Sequence, residues 1–141
     1  GVAYGINNAG TVVGAANQLG GVPQAFIYVN GQLRLLGPTG RLSVALDVNS
    51  SDVVVGVSDL RATIWTQANG QQNLNSLIAP SSGWTLITAA AINDNGQITG
   101  EGQFNGVGFA YRLDPIPEPS TWALLGLGGL LSMIFHRRLK R

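Results

Sequence analysis

The side chains best suited to acid–base chemistry are five carboxylic acids spread through the chain: Asp47, Asp52, Asp59, Asp94 and Glu101. Two carboxylates held close together can hydrolyse a glycosidic bond, one as general acid and the other as base or nucleophile. The sequence places no two of these residues at such a separation, and a turn or surface role accounts for each. We therefore predict a protein without a catalytic site.

Metal binding is disfavoured by the same residues. Asn93–Gly96 carries the oxygen-rich side chains of a calcium loop, but the D-x-D-x-D-G spacing with a later Glu is absent. The equivalent segments Asn7–Gly10 and Asn49–Asp52 lack matching carboxylates, so all three are predicted to be turns. The chain has no cysteine and one histidine, His136, which argues against thiolate metal sites, multi-histidine sites and a Ser-His-Asp triad. We expect no metal and no cofactor.

Four aromatic residues are candidates for contact with a ligand. Tyr28, Trp65 and Tyr111 occupy equivalent positions of a repeat described below, which favours packing in the core. Trp84 lies outside the repeat, after Ser81–Gly83. It is predicted to be the exposed aromatic contact.

The charge distribution excludes nucleic acid as a partner. The chain has 141 residues, of which 45% are hydrophobic and 11% charged. Four of the eight basic residues stand in the last five positions: Arg137, Arg138, Lys140 and Arg141. The remainder carries four arginines against seven acids, a net charge of −3, so it offers no basic patch for phosphates.

Three copies of one pattern, A-x-x-[IV]-N-x-x-[GD]-x-[VI]-x-G, begin at Ala3, Ala45 and Ala89. Each copy is followed by a strand that ends in Tyr or Trp. The first two then pass through Asn30-Gly31 and Asn69-Gly70, which are strong hairpin signals. The pattern predicts antiparallel units of four strands over residues 1–42, 43–86 and 87–113.

Within each unit the pattern also predicts local geometry. Period-two alternation places Tyr4 and Ile6 on one face of the first strand, with Ala3 and Gly5 on the other. The glycine that ends each copy predicts a bulge or a close approach of two backbones. These glycines are Gly14, Gly56 and Gly100.

Units of this length are typical of propeller blades. The predicted fold class is therefore an all-β repeat of propeller-like, four-stranded blades, with a linear solenoid or a sandwich as the alternative. Because propellers need about four to eight blades to close, we expect a partial array at the C-terminal end of a longer one. With two open edges, residues 1–113 alone should be unstable or oligomeric.

The pattern, followed by Ala25-Phe26-Ile27-Tyr28 and an Asn-Gly turn, resembles the HAF repeat of exported bacterial proteins. The resemblance covers about residues 2–113. Gln24 stands where that repeat usually has His, and later copies depart further, so no His-dependent role is implied. The family has no assigned chemistry to carry over.

The C-terminal segment has three parts. Asp114–Thr121 is a proline-rich linker, Trp122–Phe135 contains 14 residues without a charge, and His136–Arg141 is basic. This order predicts one transmembrane α-helix over 122–135, with the body outside the cytoplasm and residues 136–141 on the cytoplasmic side. The predicted anchors are Trp122, Leu124, Leu125, Leu127, Leu130, Leu131, Ile134 and Phe135, and the stop-transfer residues are Arg137, Arg138, Lys140 and Arg141.

The length of this run is short for a membrane span. Fourteen residues rise about 21 Å as a helix, against a hydrocarbon core of roughly 30 Å. Snorkelling of Arg137 and Arg138 and local thinning of the bilayer narrow the difference. A buried amphipathic helix is the alternative. It is disfavoured because the run is apolar on every face and contains the poor helix formers Gly126, Gly128 and Gly129.

Pro117-Glu118-Pro119, the short apolar run and the Arg-rich end together resemble the PEP-CTERM sorting signal over about residues 116–141. The resemblance implies that Pro117, Glu118 and Pro119 are recognised by an exosortase, a membrane cysteine protease. It further implies an exported protein of a Gram-negative, exopolysaccharide-producing bacterium, held in the inner membrane until it is processed.

Two functions from different classes follow. The first is a non-catalytic exported repeat protein, anchored in the lipid bilayer and delivered to the cell surface or extracellular matrix, where it contacts polysaccharide or matrix proteins. The second is the binding or scaffold part of a larger secreted hydrolase, anchored by one span. The first is preferred because no visible constellation of residues is catalytic.

Overall fold

Three antiparallel sheets of four strands make up the described part of the chain. The computed structural model describes residues 1–18, 21–116 and 131–138. Sheet 1 contains β1 (Val2–Ile6), β2 (Val12–Asn17), β3 (Pro23–Val29) and β4 (Gln32–Leu35). Sheet 2 contains β5 (Ser43–Val48), β6 (Val54–Ser58), β7 (Arg61–Thr66) and β8 (Gly70–Asn73). The predicted all-β class is confirmed.

Sheet 3 follows one turn of 3₁₀ helix over Leu74–Leu77. It contains β9 (Trp84–Ile92), β10 (Ile98–Phe104), β11 (Val107–Pro115) and β12 (Leu131–Arg138). In every sheet the strands are neighbours in chain order, so each sheet is a simple meander.

Tight turns join most of these strands. Asn30 (φ 53°) and Gly31 (φ 76°) connect β3 to β4 as the sequence predicts. Asn105 (φ 49°) and Gly106 (φ 83°) form a matching turn between β10 and β11, which the sequence analysis did not single out. Positive φ at both positions suits a two-residue hairpin because its twist follows that of the strands.

A bulge interrupts the first strand of every sheet at the same motif position. The register shifts between Ala3 and Gly5 in β1 and between Ala45 and Asp47 in β5, and β9 shifts likewise opposite Thr99 and Gly100. At this position one extra residue in the first strand therefore reverses the alternation of side chains, and β9 has a second shift opposite Glu101 and Gly102. Ala45 and Val48 consequently lie in one core cluster, so the predicted placement of the motif alanine and Ile/Val on opposite faces is wrong.

The motif glycines lie opposite these bulges. A Cβ on Gly14, Gly56 or Gly100 would overlap a carbonyl oxygen of the paired first strand, that of Val2, Val44 or Thr88 respectively. The predicted close approach of two backbones is confirmed at all three positions.

Sheets 2 and 3 each pack on the sheet before them. We call the face that packs on the preceding sheet the front face, and the opposite one the back face. Strand β5 contacts β1, β2 and β3, and β9 contacts β5, β6 and β7. The cluster between sheets 1 and 2 joins back-face residues Val13, Ala25 and Ile27 to front-face residues Ala45, Val48, Val54 and Trp65.

The cluster between sheets 2 and 3 repeats this arrangement. Back-face Val55 and Ala62 meet front-face residues Ala89, Ile92, Ile98, Tyr111 and Leu113. The sheets thus stack like successive blades, while closure into a propeller stays a prediction.

The aromatic residues divide differently from the prediction. Trp65 and Tyr111 are buried as expected, and the Tyr111 hydroxyl donates to the Thr88 carbonyl at 2.6 Å. Their predicted equivalence is wrong, because Tyr111 pairs with the motif glycine Gly100, whereas Trp65 pairs with Val54. Tyr28 is exposed because no described sheet covers the front face of sheet 1. The exposed role predicted for Trp84 is wrong, since its ring is buried and lies 5.4 Å from that of Phe104.

Candidate functional site

The predicted sorting residues follow directly on the last strand of the body. Strand β11 ends at Pro115, two positions before Pro117. The predicted residues Pro117, Glu118, Pro119, Trp122, Leu124, Leu125, Leu127, Leu130, Lys140 and Arg141 lie outside the described residues. Their roles stay predictions.

The remaining predicted anchor and stop-transfer residues lie in β12: Leu131, Ile134, Phe135, Arg137 and Arg138. This strand pairs antiparallel with β11 from Pro115↔Leu131 to Phe109↔Arg138. Residues 131–135 therefore form a strand in this structure where the sequence predicts the end of a helix. The physical reason is the edge of β11, whose N–H and C=O groups would otherwise lack a strand partner.

Strand β12 takes the fourth-strand position of sheet 3. In sheets 1 and 2 a tight turn leads from the third strand to the fourth, whereas residues 116–130 intervene between β11 and β12. The sheet 3 edge is thus completed by residues from the C-terminal segment. Within residues 1–18, 21–116 and 131–138, no helix is both long enough and apolar enough to cross a membrane.

Asp114 fixes the point where the chain leaves the body. Its carboxylate pairs with the Arg112 guanidinium at 3.0 Å and accepts a hydrogen bond from the Gln97 side-chain amide at 3.3 Å. These contacts tie the end of β11 to the turn before β10. The C-terminal segment therefore starts from a fixed position on sheet 3.

A ladder of asparagine side chains links the three sheets at one end. The Asn7 amide donates to the Asn49 carbonyl at 2.9 Å, and the Asn49 amide donates to the Asn93 carbonyl at 3.1 Å. The Asn93 amide instead donates to the Gln97 side chain at 2.8 Å. We call this chain of contacts the Asn ladder.

Each ladder residue also holds its own turn. The Asn49 side-chain oxygen accepts hydrogen bonds from the backbone N–H groups of Ser51 and Val53, and the equivalent bonds form at Asn7 and Asn93. The predicted turns are therefore confirmed. At Asn7 and Asn49 one side chain thus satisfies its own turn with its oxygen and joins the next sheet with its nitrogen.

Carboxylates reinforce the ladder. Asp52 accepts from the Asn7 amide at 2.8 Å and from the Thr11 hydroxyl at 2.6 Å. Asp94 accepts from the Ser50 backbone N–H at 2.8 Å. That hydrogen bond, with a further one from the Ser50 side chain, holds the pKa of the Asp94 carboxyl below its ordinary value.

We expect Asn49→Ala to lower the free energy of unfolding by about 2–3 kcal/mol, because it removes three hydrogen bonds and leaves two backbone donors without their acceptor. Urea titration followed by tryptophan fluorescence measures this. Asn8→Ala is the matched control, since Asn8 is exposed in the equivalent first turn and should cost under about 0.5 kcal/mol. Equal losses from the two substitutions would show that the Asn ladder does not contribute to the free energy of unfolding.

The lowered pKa of Asp94 predicts a pH-dependent contribution. A carboxyl with a depressed folded pKa adds stability above its unfolded value, and this stability is lost as the pH falls through the folded pKa. The stability difference between the wild type and Asp94→Ala should therefore be present at neutral pH and shrink below about pH 4. Urea midpoints of both proteins across this range measure it, and a difference that stays constant in acid would refute it.

The other candidate acids also have contacts within the fold or lie at its surface. The Asp47 carboxylate accepts from the Ile92 backbone N–H at 2.8 Å, which joins sheet 2 to sheet 3. Asp59 pairs with Arg41 at 2.8 Å on the exposed surface, and Glu101 is exposed on β10. Among the described residues, no three His, Cys, Asp or Glu side chains form a group able to hold a metal ion.

Two features escaped the sequence analysis. The ladder was missed, although Asn stands at the same position in all three copies where Asp or Ser would also form a turn. The fourth strand of sheet 3 was missed too. Its signal in the sequence is that the third copy, unlike the first two, is followed by the proline-rich segment Asp114–Thr121 in place of an Asn-Gly turn and a fourth-strand pattern.

Comparison with known proteins bears on the C-terminal segment. A family model described as the PEP-CTERM protein-sorting motif matches residues 115–141. The match supports a sorting signal directed to an exosortase, as found on exported proteins of the cell envelope. No curated protein matches the chain, and no solved structure matches it.

Proposed function

We propose that this chain is an exported, non-catalytic repeat protein whose C-terminal segment is a sorting signal. The signal anchors the body in the inner membrane until an exosortase processes it, and the body then passes to the cell surface or exopolysaccharide matrix. The observation that carries this proposal is the motif match over residues 115–141. The match begins at Pro115, where the last strand of the body ends.

In the membrane-bound form, residues 122–135 cross the bilayer as a helix. Trp122 lies at the outer interface, and Arg137, Arg138, Lys140 and Arg141 lie on the cytoplasmic side. Residues 131–138 cannot pair with β11 and enter the bilayer together. Insertion therefore releases β12 from sheet 3, and the two arrangements of this segment exclude each other.

The body serves as a binding and display module in this proposal. Support comes from its acids, since Asp47, Asp52 and Asp94 are engaged in hydrogen bonds between sheets. A groove between sheets 1 and 2, lined by Gln32 and Arg34 on one side and Trp65 on the other, is the surface proposed to contact polysaccharide or matrix proteins. Its amide and guanidinium groups suit the hydroxyls and acids of such polymers.

The experiment is the mass of the C-terminal peptide of the full-length protein, recovered separately from the membrane fraction and the culture medium. A terminus between Pro117 and Thr121 in the released protein supports sorting and processing. An intact Arg141 in every fraction overturns it and favours the plain single-span anchor of a larger protein. Turnover of a polysaccharide by the released body would overturn the non-catalytic role.

A further inference from the structure

The front face of sheet 1 is apolar, and most of it is open to solvent, although Phe26 on this face is only 8% exposed. Ile6 is 69% exposed, whereas its equivalents Val48 and Ile92 are 4% and 9% exposed. Tyr28 is 43% exposed, against 4% for Trp65 and 0% for Leu113, the residues at the same place in the register of sheets 2 and 3. Sheets 2 and 3 bury these positions against the sheet before them, so sheet 1 displays the same kind of surface without the cover.

The back face of sheet 3 is built differently. Thr99 stands where sheets 1 and 2 have Val13 and Val55, and Glu101 stands where they have Ala15 and Val57. Arg112 likewise stands where they have Ile27 and Ile64, because it pairs with Thr99 as those residues pair with Val13 and Val55. Thr99 and Glu101 are exposed to solvent. This face is therefore polar, as the outer face of a terminal repeat has to be.

The Asn ladder shows the same difference between the two ends of the stack. At sheet 3 it ends within its own turn, because the Asn93 amide donates to Gln97. At sheet 1 the Asn7 carbonyl accepts the turn hydrogen bond from Gly10. Within the described part of the chain, no side-chain amide donates a hydrogen bond to the Asn7 carbonyl. The Asn49 and Asn93 carbonyls each accept one such bond.

We propose that the front face of sheet 1 is the docking surface for one further four-stranded unit of this same repeat. That unit brings a back face of small and β-branched apolar side chains, and an asparagine amide that donates to the Asn7 carbonyl. The contact continues the two existing interfaces between sheets. A second copy of this chain does not fit through its sheet 3, because Thr99 and Glu101 would meet the apolar face.

The test extends the complete chain with a second copy of residues 1–42 placed ahead of Gly1. Asn7 and Asn49 are 42 residues apart, so the added copy presents its asparagine to Asn7 in the native spacing. The added copy contains no tryptophan, so fluorescence reports only on the original chain. Measured in the same detergent, the Tm of the extended chain should exceed that of the original chain by at least about 4 °C.

The matched control carries V13T, A15E and I27R in the added copy alone, which gives it the back-face residues Thr99, Glu101 and Arg112 of sheet 3. It should not raise the Tm. Ile6→Asp in the original copy should leave the unextended chain unchanged and abolish the gain in the extended one. Circular dichroism shows whether the added copy is folded in both extended proteins.

Equal gains from the native and control copies, or no gain from a folded native copy, overturn the proposal. Sedimentation of the unextended chain supplies a second readout. If the unextended chain is a dimer that Ile6→Asp converts to a monomer, and the added copy gives no gain in Tm, the face serves self-association. That result also overturns the proposal.

Discussion

Gly56→Ala is expected to destabilise the chain severely. Gly56 lies in β6 opposite the bulge of β5, and a Cβ there would overlap the carbonyl oxygen of Val44 and lie 3.0 Å from the Cα of Ala45. Both neighbours are backbone atoms, so no side-chain rotation relieves the overlap. The two strands must therefore separate. This also disturbs the packing of Val55 and the β7–β8 hairpin that follows.

The expected loss is at least about 4 kcal/mol, at the severe end of single substitutions. A domain of this size has only about 5–15 kcal/mol of stability in total. Urea titration monitored by the fluorescence of Trp65 and Trp84 measures the change in both interfaces between sheets. A native-like midpoint would refute the close approach.

Gly108→Ala is the matched control for this substitution. Gly108 also lies within a strand, β11, but no atom beyond its chain neighbours lies within 4 Å of a Cβ built there. We expect a change within about 0.5 kcal/mol. A similar loss at both positions would show that the destabilisation does not come from the close approach opposite the bulge.

Glu118→Ala is expected to abolish processing of the C-terminal segment. Glu118 is the acidic residue of the proposed sorting motif Pro117-Glu118-Pro119, so recognition of this motif by an exosortase is expected to depend on its carboxylate. Its removal deletes the one charge between Asp114 and His136. In the native host the variant should accumulate in the membrane fraction with Arg141 intact, while the wild type is released.

Glu101→Ala is the control for that experiment, since it removes an exposed carboxylate from β10 and leaves the segment unaltered. It should be processed like the wild type. Release of the Glu118 variant with the same terminus as the wild type would show that processing does not depend on this carboxylate. Mass spectrometry of the C-terminal peptide in both fractions distinguishes these results.

The sequence predicted those features that depend on neighbouring residues. The hairpin at Asn30-Gly31 follows from the φ preferences of two residues, and the motif glycines predict a close approach of two backbones. The face of each side chain could not be predicted, because the bulge at Leu46 arises from pairing between β5 and β6. A single inserted residue is invisible in the alternation of one strand, yet it reverses every position after it.

Contacts distant in sequence limited the other predictions. Trp84 looked exposed because it precedes the motif, but Phe104 and Phe109 approach it from two other strands of sheet 3. Residues 131–135 were predicted to end a membrane helix because they belong to an apolar run followed by a basic end. An apolar run suits a membrane helix or a strand on an open edge equally, and the need of β11 for a partner is a property of the folded sheet.

The nearest-neighbour arrangement of the sheets also determines how the chain can fold. The ladder bonds join residues only one repeat apart, 42 from Asn7 to Asn49 and 44 from Asn49 to Asn93, so the loop closed at each step stays short however many units are stacked. Loop-closure entropy and folding rate then depend on one unit and its neighbour. Sheets can form one after another as the polypeptide emerges. Sheet 3 is completed last, because β12 must wait for residues beyond 130.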